Sequence, residues 1–232
     1  MHPSTITPLI RIAVFYDGNF LSEASNFYKF QHPRGARLSV PGVHEFIRHR
    51  AAAFEEENVN KCQIVESHYF RGRFSTASVR AKDGDDRNAG KACPAFEAAH
   101  IFDEVLIRAG VVQHYFPMDE SGDRPREKGI DVWLALEAYD LAVHKPLDVL
   151  ALVACDGDYI PLVRKLNSLG TRVMLLAWDF KYEWNGRSKR TRTSEALIRE
   201  VSYPVMMHDE IDSRANRGDS IIDSLFVPQA DR

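Results

Sequence analysis

The chain has 232 residues, 44% of them hydrophobic, enough for one α/β domain with a full core, and a formal charge of −3 argues against a protein that coats nucleic acid indiscriminately. No apolar run approaches the roughly eighteen residues of a membrane span, and Met1-His2-Pro3-Ser4-Thr5 does not begin a secretion signal, so the expected location is the cytoplasm, with no membrane partner. Cys62, Cys93 and Cys155 are odd in number and far apart, which excludes a disulfide framework and a thiolate zinc site.

Ile10 to Phe15 is apolar on both faces and reads as a buried parallel strand. Phe20 to Phe30 follows as a short helix, and Val40-Pro41-Gly42 introduces a second helical stretch to about Glu57. Lys61 to Phe70 alternates as a strand. Arg71 to Ala92, polar and broken by Asp83-Gly84 and Ala89-Gly90, reads as a long loop. Pro94 opens a helix to Arg108, Gly110 stops it, and Val111 to Phe116 is the next strand. A polar loop, Pro117 to Glu127, leads to a helix over Asp131 to His144 that Pro146 prevents from continuing. The strand Asp148 to Ala154, the helix Asp158 to Leu169 and the strand Thr171 to Ala177 form a right-handed parallel crossover. Beyond them lie a basic loop over Lys181 to Arg192, a helix near Ser194 to Glu200 and an edge strand over Val201 to Met206. The expected fold is α/β, a Rossmannoid three-layer domain with a mainly parallel central sheet flanked by helices, spanning residues 1–207. Residues 208–232 form a polar tail in which Ile221, Ile222, Leu225 and Phe226 make an apolar face suited to docking on the domain itself.

Three motifs put aspartates beside apolar runs: Tyr16-Asp17-Gly18-Asn19, Lys128-Gly129-Ile130-Asp131 and Asp156-Gly157-Asp158. The first and third fall at the carboxyl ends of buried strands, where open α/β sheets bind ligands. Singly, Asp17 and Asp158 also read as helix caps, Asp156 as a turn residue and Asp131 as a complement to the helix dipole. At about 100° per residue, Asp131, Ala135, Ala138 and Ala142 fall in one line, which lets the helix lie close to the sheet and aim Asp131 at the strand ends. Beside that line runs an apolar stripe, Val132, Leu136, Tyr139 and Val143. Converging carboxylates repel, and a hard cation such as Mg²⁺ relieves them while keeping water and substrate phosphate as further ligands. Phosphodiester hydrolysis is the matching chemistry, with Lys128 placed to meet a phosphate or to remain solvated.

With these motifs in this order, the chain resembles the NYN domain, a branch of the PIN-like metal-dependent nuclease fold, and particularly its bacterial LabA-like group, over about Arg11 to Val205. The resemblance implies Mg²⁺ or Mn²⁺ held by Asp17, Asp131, Asp156 and Asp158 as the catalytic set, with RNA as the usual substrate. Asn19 stands one place before the family's usual asparagine, where this chain has Phe20, and Ala154-Cys155 replaces a frequent Ser-Gly. The function it implies is a metal-dependent endoribonuclease that attacks single-stranded RNA with a metal-activated water. The alternative is a catalytically silent nucleic-acid-binding or scaffold module.

The segment Lys181 to Arg192 adds cations for a nucleic-acid backbone and aromatics for base stacking. Tyr182, Trp184, Lys189, Arg190 and Arg192 are therefore candidate substrate-binding residues, together with Asn19 and Lys128. Arg71, Arg73, Arg80 and Lys82 form a weaker basic group that reads more readily as solvated surface. His44 and His49, five residues apart, diverge on a helix and do not form a zinc-protease pair. A homo-oligomer is left open.

Overall fold

The computed structural model describes residues 9–75, 94–121, 125–184, 187–214 and 218–228. Its strands are β1 (Ile10–Asp17), β2 (Cys62–Arg73), β3 (Val112–Pro117), β4 (Val149–Val153), β5 (Arg172–Ala177), β6 (Phe180–Trp184), β7 (Arg187–Thr191) and β8 (Tyr203–Met206). Its α-helices are α1 (Gly18–Phe30), α2 (Val40–Phe54), α3 (Pro94–Arg108), α4 (Ile130–His144), α5 (Ile160–Ser168), α6 (Glu195–Glu200), α7 (Met207–Arg214) and α8 (Ser220–Ser224). Six strands form one parallel sheet in the order β3-β2-β1-β4-β5-β8. The chain leaves β1 toward β2 and β3 on one side and returns to β4, β5 and β8 on the other, which opens a crevice between the carboxyl ends of β1 and β4.

Side-chain alternation divides the core into two layers. Ile12, Val14 and Tyr16 of β1 pack with Val149, Ala151 and Val153 of β4 beneath α1, α2 and α3. Ala13 and Phe15 pack with Leu150 and Leu152 beneath α4, α5 and α6. The result is the expected three-layer α/β architecture. Among the described residues no helix is long and apolar enough to cross a membrane.

Several elements differ from the sequence reading. Arg71–Arg73 extend β2 instead of opening a loop, because they pair with Tyr115–Pro117 of β3; the rest of that loop, from residue 76 to 93, lies outside the described residues, with Cys93, Arg80 and Lys82. In the Pro117 to Glu127 stretch, Asp119 and Arg126 form an antiparallel bridge. The basic stretch is not a loop but an antiparallel hairpin, β6 with β7. Its register pairs Trp184 with Arg187, leaving Asn185-Gly186 between them, the dipeptide that favours two-residue hairpin connections. On α4 the buried line is Ile130, Leu134 and Ala138, whereas Val132 and Leu136 are more than 60% exposed. That helix is apolar around most of its circumference, so periodicity could not choose its inner face; of the expected line Asp131, Ala135, Ala138 and Ala142, only Ala138 is fully buried.

The sheet also holds a partly buried polar pair. His68 Nδ1 on β2 and His114 Nε2 on β3 lie 2.9 Å apart and share a hydrogen bond, with Phe70 stacked on His114 and Trp133 of α4 edge-on to it. Burial holds both imidazoles below the usual histidine range.

The end of the described chain is part of the core. Ile222, Leu225 and Phe226 are buried, Phe226 packs edge-on against Tyr28 of α1, and the Ser39 N–H donates to the Leu225 carbonyl at 2.8 Å. The entry to α2 touches this segment so closely that a Cβ on Gly42 would sit 1.8 Å from the Ser224 carbonyl oxygen. Gly42→Ala is therefore expected to displace α8 and lower stability by about 1–3 kcal/mol, read as a lower melting temperature and new cleavage after Arg214 in limited proteolysis. An unchanged melting temperature and proteolytic pattern would show that this contact yields freely.

Candidate active site

The last residue of β1, Asp17, shares the alternation of Ala13 and Phe15 and so leaves the strand on the α4 side. Its Oδ1 accepts hydrogen bonds from the Asn19 and Phe20 N–H groups at 3.0 and 3.1 Å, capping α1. Its Oδ2 accepts none among the described residues, so the capping role leaves half of the carboxylate uncommitted. Gly18 is required beside it, because a Cβ there would lie 2.6 Å from the Phe70 carbonyl oxygen.

Asp131 sits in the first turn of α4 but does not cap it; the N-cap is Gly129, at φ 82°, with no side-chain cap bond. Asp131 Oδ1 instead accepts the Tyr159 hydroxyl at 2.9 Å. Tyr159 reaches it because Asp156 begins a single 3₁₀ turn over Gly157–Tyr159, with Asp156 Oδ1 accepting the Asp158 N–H at 3.0 Å. Asp158 is exposed, and among the described residues its side chain joins none of the other carboxylates. Asp131 thus meets Tyr159 through a hydrogen bond, and Asp17 and Asp156 stand near enough for their charges to bear on the Tyr159 hydroxyl; Asp131, Asp156 and Asp158 are all exposed.

The electrostatics record the same convergence. Burial pushes the Asp17 carboxyl up to about 6, with the charges of Asp131 and Glu127 adding to the effect and the Phe20 and Asn19 N–H groups opposing it. Burial, followed by Asp17, Asp131 and Asp156, also keeps the Tyr159 hydroxyl firmly protonated. The half-buried Cys155 thiol is pushed up to about 12 by burial and by Asp17, Asp156, Glu23 and Asp179. The crevice therefore concentrates negative charge in a protein whose net charge is only −3.

Glu127 is the group that sequence reasoning missed. Its Oε1 accepts the Gly72 N–H at 2.9 Å, and its charge bears on Asp17. No motif spacing singles it out; its place depends on the Asp119–Arg126 bridge, which joins distant parts of a polar stretch. All four carboxylates offer hard oxygen donors, as a divalent cation requires. Among the described residues no group of three or more such side chains is placed to hold a metal ion.

A family model for the NYN domain matches residues 11–205, most of the chain and all three aspartate motifs. The chain belongs to the NYN domain family. An uncharacterised protein of Methanocaldococcus jannaschii is 31% identical over 71 residues, covering 31% of this chain and 27% of that protein, so the chain matches about a quarter of the relative's length. The crystal structure of a Vibrio parahaemolyticus protein of unknown function superposes with a TM-score of 0.52 at 16% identity, over 87% of this chain and 95% of the other. At that identity the likeness shows the fold alone.

In this NYN domain the candidate RNA-binding residues are dispersed. Asn19 is exposed and engages Asp17 through its backbone; Lys128 is exposed beside the site. On the hairpin, Tyr182 packs against Phe27 and Phe180 and is not a free stacking platform. Cross-strand pairing sets Lys189 opposite Tyr182 and Arg190 opposite Lys181, so the two cations face opposite sides. Arg192 is ion-paired with Glu195. The side chain of Trp184 lies outside the described residues.

The raised Asp17 pKa has a testable sign. An acid whose pKa is higher in the folded state binds protons preferentially there, so ionised Asp17 lowers stability above about pH 6, and this cost disappears as pH falls toward 3.8. Asp17→Asn keeps an oxygen for the α1 cap. In chelator its stability gain over wild type should be on the order of 1–3 kcal/mol larger at neutral pH than near pH 4, measured by denaturant titration. A difference that does not vary with pH would remove Asp17 from the strained carboxylate set.

Proposed function

We propose that this NYN domain is a divalent-metal-dependent endoribonuclease acting on single-stranded RNA. The observation that carries the reading is the convergence of Asp17, Asp131 and Asp156 around Tyr159, at the crevice where the strand order reverses, with Asp17 strained as an anion. Membership of a PIN-like nuclease family supports it. Asp17 and Asp131, with Asp156 alongside, would hold Mg²⁺ or Mn²⁺. A cation bound there supplies Lewis acidity, which polarises a phosphoryl oxygen and makes water a better nucleophile at neutral pH.

The protein's own contribution is orientation. The Tyr159 hydroxyl fixes one oxygen of Asp131, and the α1 amides fix one oxygen of Asp17, so each carboxylate keeps one oxygen for the site. Rigid positioning of this kind favours groups that act on charge developing in the transition state. A second reading, a silent nucleic-acid-binding module, draws on the lack of a ready three-ligand cage among the described residues.

Asp131→Asn separates the two. On labelled single-stranded RNA in Mn²⁺, Mg²⁺ or chelator, it should reduce cleavage by roughly a hundredfold or more while leaving affinity nearly unchanged. Tyr159→Phe should cost roughly tenfold, as loss of an orienting partner does. Binding without cleavage by every form would establish the silent module, and equal cleavage by wild type and Asp131→Asn would remove Asp131 from the mechanism.

The hairpin is the proposed backbone contact on the β5 side. Lys189→Ala with Arg190→Ala should weaken RNA binding and flatten the dependence of log K on log salt by about 0.7 for each phosphate left without its cation. Retained affinity and slope would mark both residues as solvated surface.

A further inference from the structure

We infer that Arg71 is a phosphate-binding residue, placed by β2 to grip the nucleic-acid backbone on the opposite side of the carboxylates from the hairpin. The identification of the anion as a phosphodiester rests on the nuclease reading; the availability of the guanidinium does not.

Arg71 and Arg73 lie on the same face of β2, two residues apart, and their surroundings differ. Arg73 is ion-paired with Asp103 and lies over the Tyr115 ring at 3.5 Å, so its charge is already matched. Arg71 is partly buried, yet among the described residues it has no ion pair within 4.0 Å. Among the described residues its side chain makes one hydrogen bond, from Nη1 to the Tyr69 hydroxyl at 3.3 Å. A guanidinium carries five N–H donors in a planar fork matched to phosphate or carboxylate, so most of this fork is uncommitted. The Glu127 charge favours the Arg71 cation without an ion pair within 4.0 Å, and Glu127 Oε1 accepts the Gly72 N–H.

The mounting of Arg71 points to the site. The Tyr69 hydroxyl that accepts from Arg71 donates in turn to the Gly18 carbonyl at 3.3 Å, one residue beyond Asp17. Asp17 pairs with Phe70, the residue before Arg71, so the backbone of Arg71 runs one strand spacing, about 4.8 Å, beside the end of β1; its side chain shares the face of Tyr69, which α1 covers, and Asp17 leaves on the α4 face. Across the sheet edge the order is Arg71 on β2, Asp17 on β1, Asp156 after β4 and the basic hairpin after β5. Cations thus flank a carboxylate centre along a line perpendicular to the strands. A single strand laid on that line would meet positive charge before and after the carboxylates.

The test is binding of a fluorescein-labelled single-stranded oligoribonucleotide in chelator across a salt series, with melting temperatures and a separate cleavage assay in Mn²⁺. Arg71→Ala should bind about tenfold more weakly and lower the log–log salt slope by about 0.7, as expected when one phosphate is no longer neutralised. If Arg71→Ala does not fold, Arg71→Gln decides, since it keeps a donor for Tyr69 and removes the charge. Wild-type affinity and slope in the folded variant overturn the inference, as does failure of wild type to bind. Cleavage by wild type with unchanged Arg71→Gln binding defeats this inference alone; weakened Arg71→Gln binding without cleavage by wild type supports it and defeats the nuclease reading.

Discussion

A strand buried on both faces can display a polar side chain only at its ends. β1 and β4 are such strands: hydrogen-bonded partners lie on both sides of each and helices cover both faces, so any charge placed mid-strand would be desolvated without compensation. Chemistry is forced to the carboxyl edge. Reversal of strand order at β1 then separates the crossover helices and leaves space there. Asp17 lies there with Asp131 and Asp156 nearby, and its raised pKa follows first from burial at the margin of an apolar layer and then from the charges of Asp131 and Glu127.

Much of this is legible in the sequence because buried parallel strands are written as continuous apolar runs. Ile10 to Phe15 and Val149 to Val153 leave no polar face for solvent, and Pro94 and Gly110 bracket α3 as first-turn proline and terminating glycine should. The hairpin is harder to see although its Asn185-Gly186 signal is present, because the density of cations suggests a loop. On α4, hydrophobicity alone could not identify the buried face: alanine at Ala138 is inside and leucine at Leu136 outside. The inner face carries large and small residues alike, Ile130 and Leu134 with Ala138, so neither size nor hydrophobicity marks it.

The site is legible to a similar degree. Aspartates at strand ends carry a local signature, and the charges of Asp17, Asp131 and Asp156 all bear on Tyr159. Asp158 resembles them in sequence and, like Asp156, is exposed, while the 3₁₀ turn begun by Asp156 sends Tyr159 inward. Glu127 and Arg71 are obscure for the opposite reason. Their roles depend on pairings across β2, β3 and the Asp119–Arg126 bridge, which no local pattern announces. In sequence Arg71 looks like its charged neighbours, and only the contrast between its few partners and the full set around Arg73 separates them.

The docking of the last described residues bears on how the molecule is made. The family pattern ends at residue 205, but the layer that supports α1 and α2 is completed by Met207, Ile211, Ile222, Leu225 and Phe226. Tyr28 and the entry to α2 are synthesised long before their partners Phe226 and Leu225. Contacts of such long sequence separation form slowly, since a large loop must close before they contribute. On the ribosome α1 and α2 would therefore wait with an apolar flank uncovered until residues 207–226 had emerged, and a chain released near residue 205 would keep its carboxylate crevice but lack the residues that close its core.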